Sequence, residues 1–173
     1  FILLAIPFFI LAGNIMAEGS ISKKLVLSMQ LLVGRLPGGM AIAAIMACIF
    51  FAAISGSSPA TVIAIGSIMI PALVKHGYDE EFATGLLTSS GSLGILIPPS
   101  IPMVLFALVM IVSVGRMFSA GIIPGLLIGG ILIGYSVFKA KKFNWKSTQE
   151  ISTAISKLRI AKAAILRTRF TLP

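Results

Sequence analysis

"FFAAISGSSPAT", residues 50–61, interrupts one of the most apolar parts of the chain with Ser55, Gly56, Ser57, Ser58 and Pro59. The hydrophobic run then resumes at Val62–Ile63–Ala64–Ile65. In a water-soluble protein such a break reads as a surface loop. The composition places it elsewhere.

Of the 173 residues, 57% are hydrophobic and 11% charged, and the mean hydropathy is +1.06. Soluble domains carry about 25% charged residues. Between Lys24 and Lys75 the only charge is Arg35, and between Glu81 and Lys139 it is Arg116. Uncharged apolar stretches longer than about 18 residues are membrane spans by length, so the expected fold is all-α and integral to the membrane. The net charge of +9 does not point to nucleic acid. Nine of the fourteen Lys and Arg lie from Lys139 onward, where the positive-inside rule places a cytoplasmic segment. One cysteine (Cys48), one histidine (His76) and five carboxylates make neither a disulfide nor a metal cluster. No nucleophile–base pair stands out, so an enzyme is not expected. The chain opens at Phe1 inside a hydrophobic run without a basic n-region, which reads as a truncation.

The expected layout follows from the punctuation. A first span covers 1–17. Residues 18–39 form a connection with a helix at the membrane interface, Leu25, Leu32 and Leu36 being helically spaced beside Lys23 and Lys24. A re-entrant hairpin occupies 40–74, a broken helix 82–112 and a last span 117–138. Residues 1–146 thus form a membrane domain, and 147–173 a basic amphipathic cytoplasmic tail, with Ser147 and Glu150 spaced as a capping box. Charge parity selects the hairpin. With Lys139–Lys146 and Lys75–Glu81 inside, a single crossing over 40–74 puts Lys23, Lys24 and Arg35 outside, whereas a hairpin keeps them inside. Length agrees: 35 residues are too long for one helix across a roughly 30 Å core and too short for two full spans. Two half-length helices meeting near Ser55–Pro59 are therefore expected.

The second break, "SSGSLGILIPPSIP" (89–102), places Gly91, Gly94, Pro98, Pro99 and Pro102 in the middle of a 31-residue apolar stretch. Unwound backbone at membrane depth is tolerated only where protein buries it or it lines a cavity, and paired broken segments point to the binding site of a secondary transporter. Carbonyl and hydroxyl oxygens at such breaks suit Na⁺. Helices restarting at Pro59 and near Pro99 turn free N–H groups toward an anion. Small residues in membrane helices more often serve close packing; two breaks together with the hairpin parity favour a site. Asp79, Glu80 and Glu81 read as a helix start, and His76 as a solvated loop residue.

Five stretches carry a resemblance: "PFFILAGNIMAEGSIS", "GRLPGGMAIA", "FFAAISGSSPAT", "GSLGILIPPSIPMVLFA" and "FSAGIIPGLL". In this order, over about residues 1–145, the chain resembles the large membrane subunit of TRAP (tripartite ATP-independent periplasmic) transporters, DctM type; the tail "LRIAKAAILRTRFTLP" matches poorly. The resemblance implies one repeat of an inverted-repeat, elevator-type carrier in the bacterial inner membrane. It also implies Na⁺ as coupling ion, no other cofactor, and small organic acids such as dicarboxylates or sialic-acid-like anions as substrates. The implied partners are a small TRAP membrane subunit, a periplasmic substrate-binding protein and the C-terminal half of the large subunit, here missing. Ser55, Gly56, Ser57, Ser58 and Thr61 match its first hairpin tip. Ser90, Gly91, Ser92, Gly94, Pro98, Pro99 and Ser100 match the facing broken helix. Ser55, Ser57, Ser58, Gly91 and Gly94 are the expected Na⁺ ligands. A membrane scaffold, a channel with a re-entrant loop and a truncated product without transport activity are the alternatives.

Overall fold

A computed structural model describes residues 2–34, 36 and 38–143. Arg35, Trp145 and the tail over 147–173 lie outside the described residues. Those described form helices joined by short turns, with no strand among them: α1 (Ile2–Glu18), α2 (Ser20–Val33), α3 (Gly39–Ser55), α4 (Ser58–Lys75), α5 (Glu80–Gly91), α6 (Leu93–Leu96), α7 (Ile101–Val109) and α8 (Val114–Lys142). α4 and α8 are each long and apolar enough to cross a membrane. The α5–α6 run and α7 pass the same test together, bent by 41° at their break.

The chain reverses between α3 and α4. Gly56 ends α3 in the left-handed conformation (φ 62°), its N–H donating to Ala52 O at 2.8 Å, which only a residue without a Cβ adopts freely. Ser57 is the extended N-cap of α4, and Pro59 sits in the first turn, where a missing N–H costs nothing. The reversal is fixed at the other end by Gln30, whose amide nitrogen lies 3.2 Å from Met40 Sδ and 3.7 Å from Met69 Sδ. Residues 40 and 69 of one straight helix would be about 43 Å apart; only a turned-back chain brings both sulfurs to one nitrogen. Burial of Ala44, Ile45, Cys48 and Phe51 against Ile65, Met69 and Leu73 holds the arms together.

Two expectations are corrected. The arms are not half-length: at 17 and 18 residues each extends about 26 Å, because Gly56 and Ser57 complete the turn and leave Ser55, Ser58 and Pro59 inside helices. Nor does α2 lie across the base. Gly13 packs on Ser55 at the tip, 3.3 Å separating a Cβ there from Ser55 Cβ, while Gln30 reaches the base. α1 and α2 therefore run down the side of α3, burying Ser22 and Val26 and leaving Leu32 and Leu36 exposed.

The base gathers three chain segments. A Cβ on Gly38 would lie 2.7 Å from Ala140 Cβ, the Tyr78 hydroxyl meets the Ala41 backbone, and the Lys139 ammonium stands 4.4 Å over the Phe82 ring. α8 runs antiparallel to α3, since Gly38 faces Ala140 and Gly129 faces Ile49, eleven residues on along each. Carried a further seven residues, the hairpin tip falls level with about residue 122 of α8, some 12 Å short of its start at Val114. On its inner face α8 presents Gly121, Gly125 and Gly129. A Cβ on Gly121 would strike Leu96 O and Met103, and one on Gly125 would lie 3.0 Å from Ile97 Cγ1. This glycine stripe lets α8 close on the broken helix, while Ile123 and Phe138 face outward, 74% and 68% exposed.

Candidate functional site

The hairpin tip is knitted together by its own hydroxyls. Thr61 Oγ1 donates to Ser57 O at 2.7 Å and lies 3.3 Å from Ser55 Oγ. The Ser57 N–H donates to Ser55 Oγ at 3.4 Å, and Ser57 Oγ accepts from the Ala60 N–H at 3.5 Å. Ser55 and Thr61 are fully buried, so each of their hydroxyls needs a partner and has one within the tip.

The second break is shorter than the sequence indicates. α5 continues through Gly91 and α6 holds Leu93–Leu96; the backbone is extended at Ile97 (ψ 121°) and at Ser100 (ψ 126°), and between them the chain bends through a cis Pro98–Pro99 peptide. Ser100 Oγ spans this gap, donating to Ile95 O at 2.7 Å. Residues 97–100 carry four carbonyls but only two N–H groups, because Pro98 and Pro99 have none. The segment is rich in acceptors.

The two breaks dock on each other. Ile101 N–H donates to Gly56 O at 3.1 Å. A Cβ on Gly56 would lie 2.9 Å from Pro99 O; one on Gly94 would lie 3.1 Å from Ser58 N and 3.2 Å from Ser57 O; one on Gly91 would collide with Val62. Of the residues expected at the site, Gly56, Ser57, Ser58, Gly94 and Pro99 thus meet directly, with Ser55 and Thr61 behind them. Gly91 lies farther along α4, against Val62. Ser100 is buried beside the contact and Pro98 is half-buried. Ser90 is also fully buried, and its hydroxyl has no partner among the described residues. Ser92 is exposed, donating to Ser89 O at 2.6 Å.

Gly91 and Gly94 correct the expectation of unwound backbone. Both are helical; what they supply is the missing side chain that lets α5 and α6 touch α4. The Gly56 carbonyl at the tip is taken by Ile101. Sequence reasoning missed Ile101, Val62 and Gly13, and only the i, i+4, i+8 spacing of Gly121, Gly125 and Gly129 announced their contact. Electrostatically, the N-terminal ends of α4 and α7 bring partial positive charge to the crossing and the C-terminal end of α3 partial negative charge. At the base, Asp79 is the N-cap of α5 with Glu80 and Glu81 in its first turn. His76, in the turn that caps α4, is half-buried, its Nδ1 2.7 Å from Ala72 O.

Residues 1–171 match the family described as tripartite ATP-independent periplasmic transporter, DctM component, so the match runs on into the tail that the motifs left out. The chain is 56% identical over 131 residues to the C4-dicarboxylate TRAP transporter large permease protein DctM of Vibrio cholerae, covering 76% of this chain and 29% of that protein. It is 49% identical over 146 residues to the isethionate TRAP transporter permease protein DctMQ of Oleidesulfovibrio alaskensis (84% and 23%). With the ectoine TRAP transporter large permease protein TeaC of Halomonas elongata, identity is 39% over 136 residues (79% and 31%). The chain therefore spans less than a third of the length of these relatives, which are transporter permeases and not enzymes. With a sequence match over nearly its whole length and an all-helical, membrane-compatible fold, the chain belongs to the DctM family of tripartite ATP-independent periplasmic transporters.

Proposed function

We propose that the chain forms part of the large permease subunit of a Na⁺-coupled secondary transporter for small organic anions. In this reading it works in the bacterial inner membrane with a small membrane subunit and a periplasmic binding protein, its C-terminal tail in the cytoplasm. The observation that carries the proposal is the docking of two breaks through the Gly56–Ile101 hydrogen bond. It brings the N-termini of α4 and α7 to an acceptor-rich segment that contains no ionisable side chain, an environment suited to an anion and a monovalent cation together. α3 and α4 act as a re-entrant hairpin, in keeping with a shared base and a tip that stops short of the far end of α8. Within an elevator-type carrier the hairpin and broken helix travel as one body. The oxygens of Ser57 and Ser58, the backbone at Gly91 and Gly94, and the Ser90 hydroxyl are the nearest candidates for the ion. The names of the relatives, with C4-dicarboxylate and isethionate among them, support the substrate class.

The internal bonding of Ser55 and Thr61 favours a packing role for those two hydroxyls. Uptake by the complete transporter separates the readings. Ser57→Leu is expected to abolish Na⁺-dependent uptake while membrane insertion persists, and Ser58→Ala to raise the Na⁺ concentration needed for half-maximal uptake. Normal transport by both variants would assign the breaks to packing alone.

A further inference from the structure

At the base of the bundle, away from the docked breaks, a cleft of about 280 Å³ opens between the start of α5 and the end of α8. Its lining changes in layers along the two antiparallel helices. Asp79, Glu81 and Lys139 stand at the helix ends; one turn deeper come Phe82 and Tyr135; beneath them lie Leu86 and Leu132. The Phe82 and Tyr135 rings are 6.1 Å apart and tilted by 44°.

Both signs of charge line this cleft, yet they do not neutralise each other. Among the described residues the Lys139 ammonium forms no ion pair with Asp79 or Glu81 and rests over the Phe82 ring at 4.4 Å. Unpaired charges of both signs above an apolar floor complement a dipolar amphiphile. An ammonium group meets the two carboxylates, a phosphate meets Lys139, a point-charge binder of phosphate, and a hydrocarbon chain continues over Leu86 and Leu132. The level of the cleft agrees. From Met117 to Phe138 α8 carries no charge, and the cations of its C-terminal end begin at Lys139, the sequence boundary at which a span enters the head-group region, where Tyr is favoured. A soluble metabolite would leave the leucine floor unused, and an anionic lipid would face two carboxylates.

We propose that this cleft binds a zwitterionic phospholipid with a primary ammonium, of the phosphatidylethanolamine type. The three N–H donors of that group serve both carboxylates, which a quaternary ammonium cannot do.

The test uses the complete transporter in nanodiscs containing phosphatidylglycerol mixed with either phosphatidylethanolamine or phosphatidylcholine. After mild delipidation, retained lipid is counted by native mass spectrometry. Phosphatidylethanolamine is expected to be retained several-fold over the other two. Glu81→Gln and Lys139→Gln should each remove that preference, and N-acylated phosphatidylethanolamine, which lacks the ammonium charge, should not be retained. In the unaltered protein a photoreactive phosphatidylethanolamine should crosslink near Leu132 and Tyr135, which keeps the proposal testable if a variant fails to assemble. Equal retention of the lipids, or unchanged preference in folded variants, overturns it. Competition by glycerophosphoethanolamine at matching concentration would show a soluble head-group site instead. Crosslinking of residues 147–173 into the cleft would show that the chain fills it itself.

Discussion

The amide of Ile101 donates to the carbonyl of Gly56 at 3.1 Å, so the hairpin and the broken helix are joined at their breaks by backbone alone. Side-chain truncation leaves this bond intact; removing the donor does not. Ile101→Pro is the fitting test, because Ser100 is already extended (φ −132°, ψ 126°), as a residue before proline prefers, and position 101 opens α7. The Gly56 carbonyl would then be buried without its donor, at a cost of about 1–3 kcal/mol. In the complete transporter, Ile101→Pro is expected to lower thermal stability and uptake more than Ile101→Ala. Equal effects would mean that the bond contributes little.

Gly94 and Gly85 make a matched pair. A Cβ on Gly94 would press on the Ser57–Ser58 backbone at 3.1–3.2 Å, whereas one on Gly85 meets nothing within 4 Å. Gly94→Val should destabilise by about 1–3 kcal/mol through overpacking and stop uptake. Gly85→Ala, inside α5, should stabilise by about 1 kcal/mol through helix propensity. Thermal melts of the two purified variants give the comparison.

The shared base makes a labelling prediction. In a Cys48→Ala background, single cysteines at Leu36, Gly77 and Lys142 should react with an impermeant thiol reagent from one side of the membrane, and one at Gly115 from the other. Labelling at positions 36 and 77 from opposite sides would show that the α3–α4 segment crosses.

Tyr78 gives the base a pH dependence. Burial pushes its phenol up to about 12, against a weaker opposing pull from the Ala41 backbone; the ordinary value is about 10. A raised acid pKa favours the neutral form in the fold. The contribution is therefore complete below pH 10 and is lost between pH 10 and 12, where the unfolded chain gives up its proton first. Stability of the native protein should fall across this window more steeply than that of Tyr78→Phe. Parallel curves would mean that Tyr78 is not shielded at the base.

The all-helical class was legible because hydrophobic content and charge spacing are properties of the sequence itself. The chain reversal was legible at Ser55–Pro59, where composition changes abruptly. What composition could not give was how few residues the turn needs, which depends on one left-handed glycine at position 56. The parity argument counted Lys23 and Lys24 at a surface, yet α2 carries them partway along the hairpin, since a kink at Gly19 looks the same in sequence as a change of direction. Gly91 and Gly94 read in sequence as unwound backbone, yet both are helical. A glycine that frees backbone and a glycine that admits a neighbour are the same letter, and only the position of Val62 or Ser57 across the contact tells them apart.

Gln30 holds the sulfurs of Met40 and Met69 at 3.2 and 3.7 Å, and both methionines are buried, 3% and 0% exposed. Thioether sulfur is a weak acceptor; its sulfoxide is polar and carries an extra oxygen, which burial away from water penalises. Peroxide is therefore expected to oxidise these two sulfurs slowly while the arms are closed and faster when they part. The oxidised fraction at Met40 and Met69, set against an exposed methionine such as Met110 at 57%, becomes a chemical clock for how long the hairpin stands open.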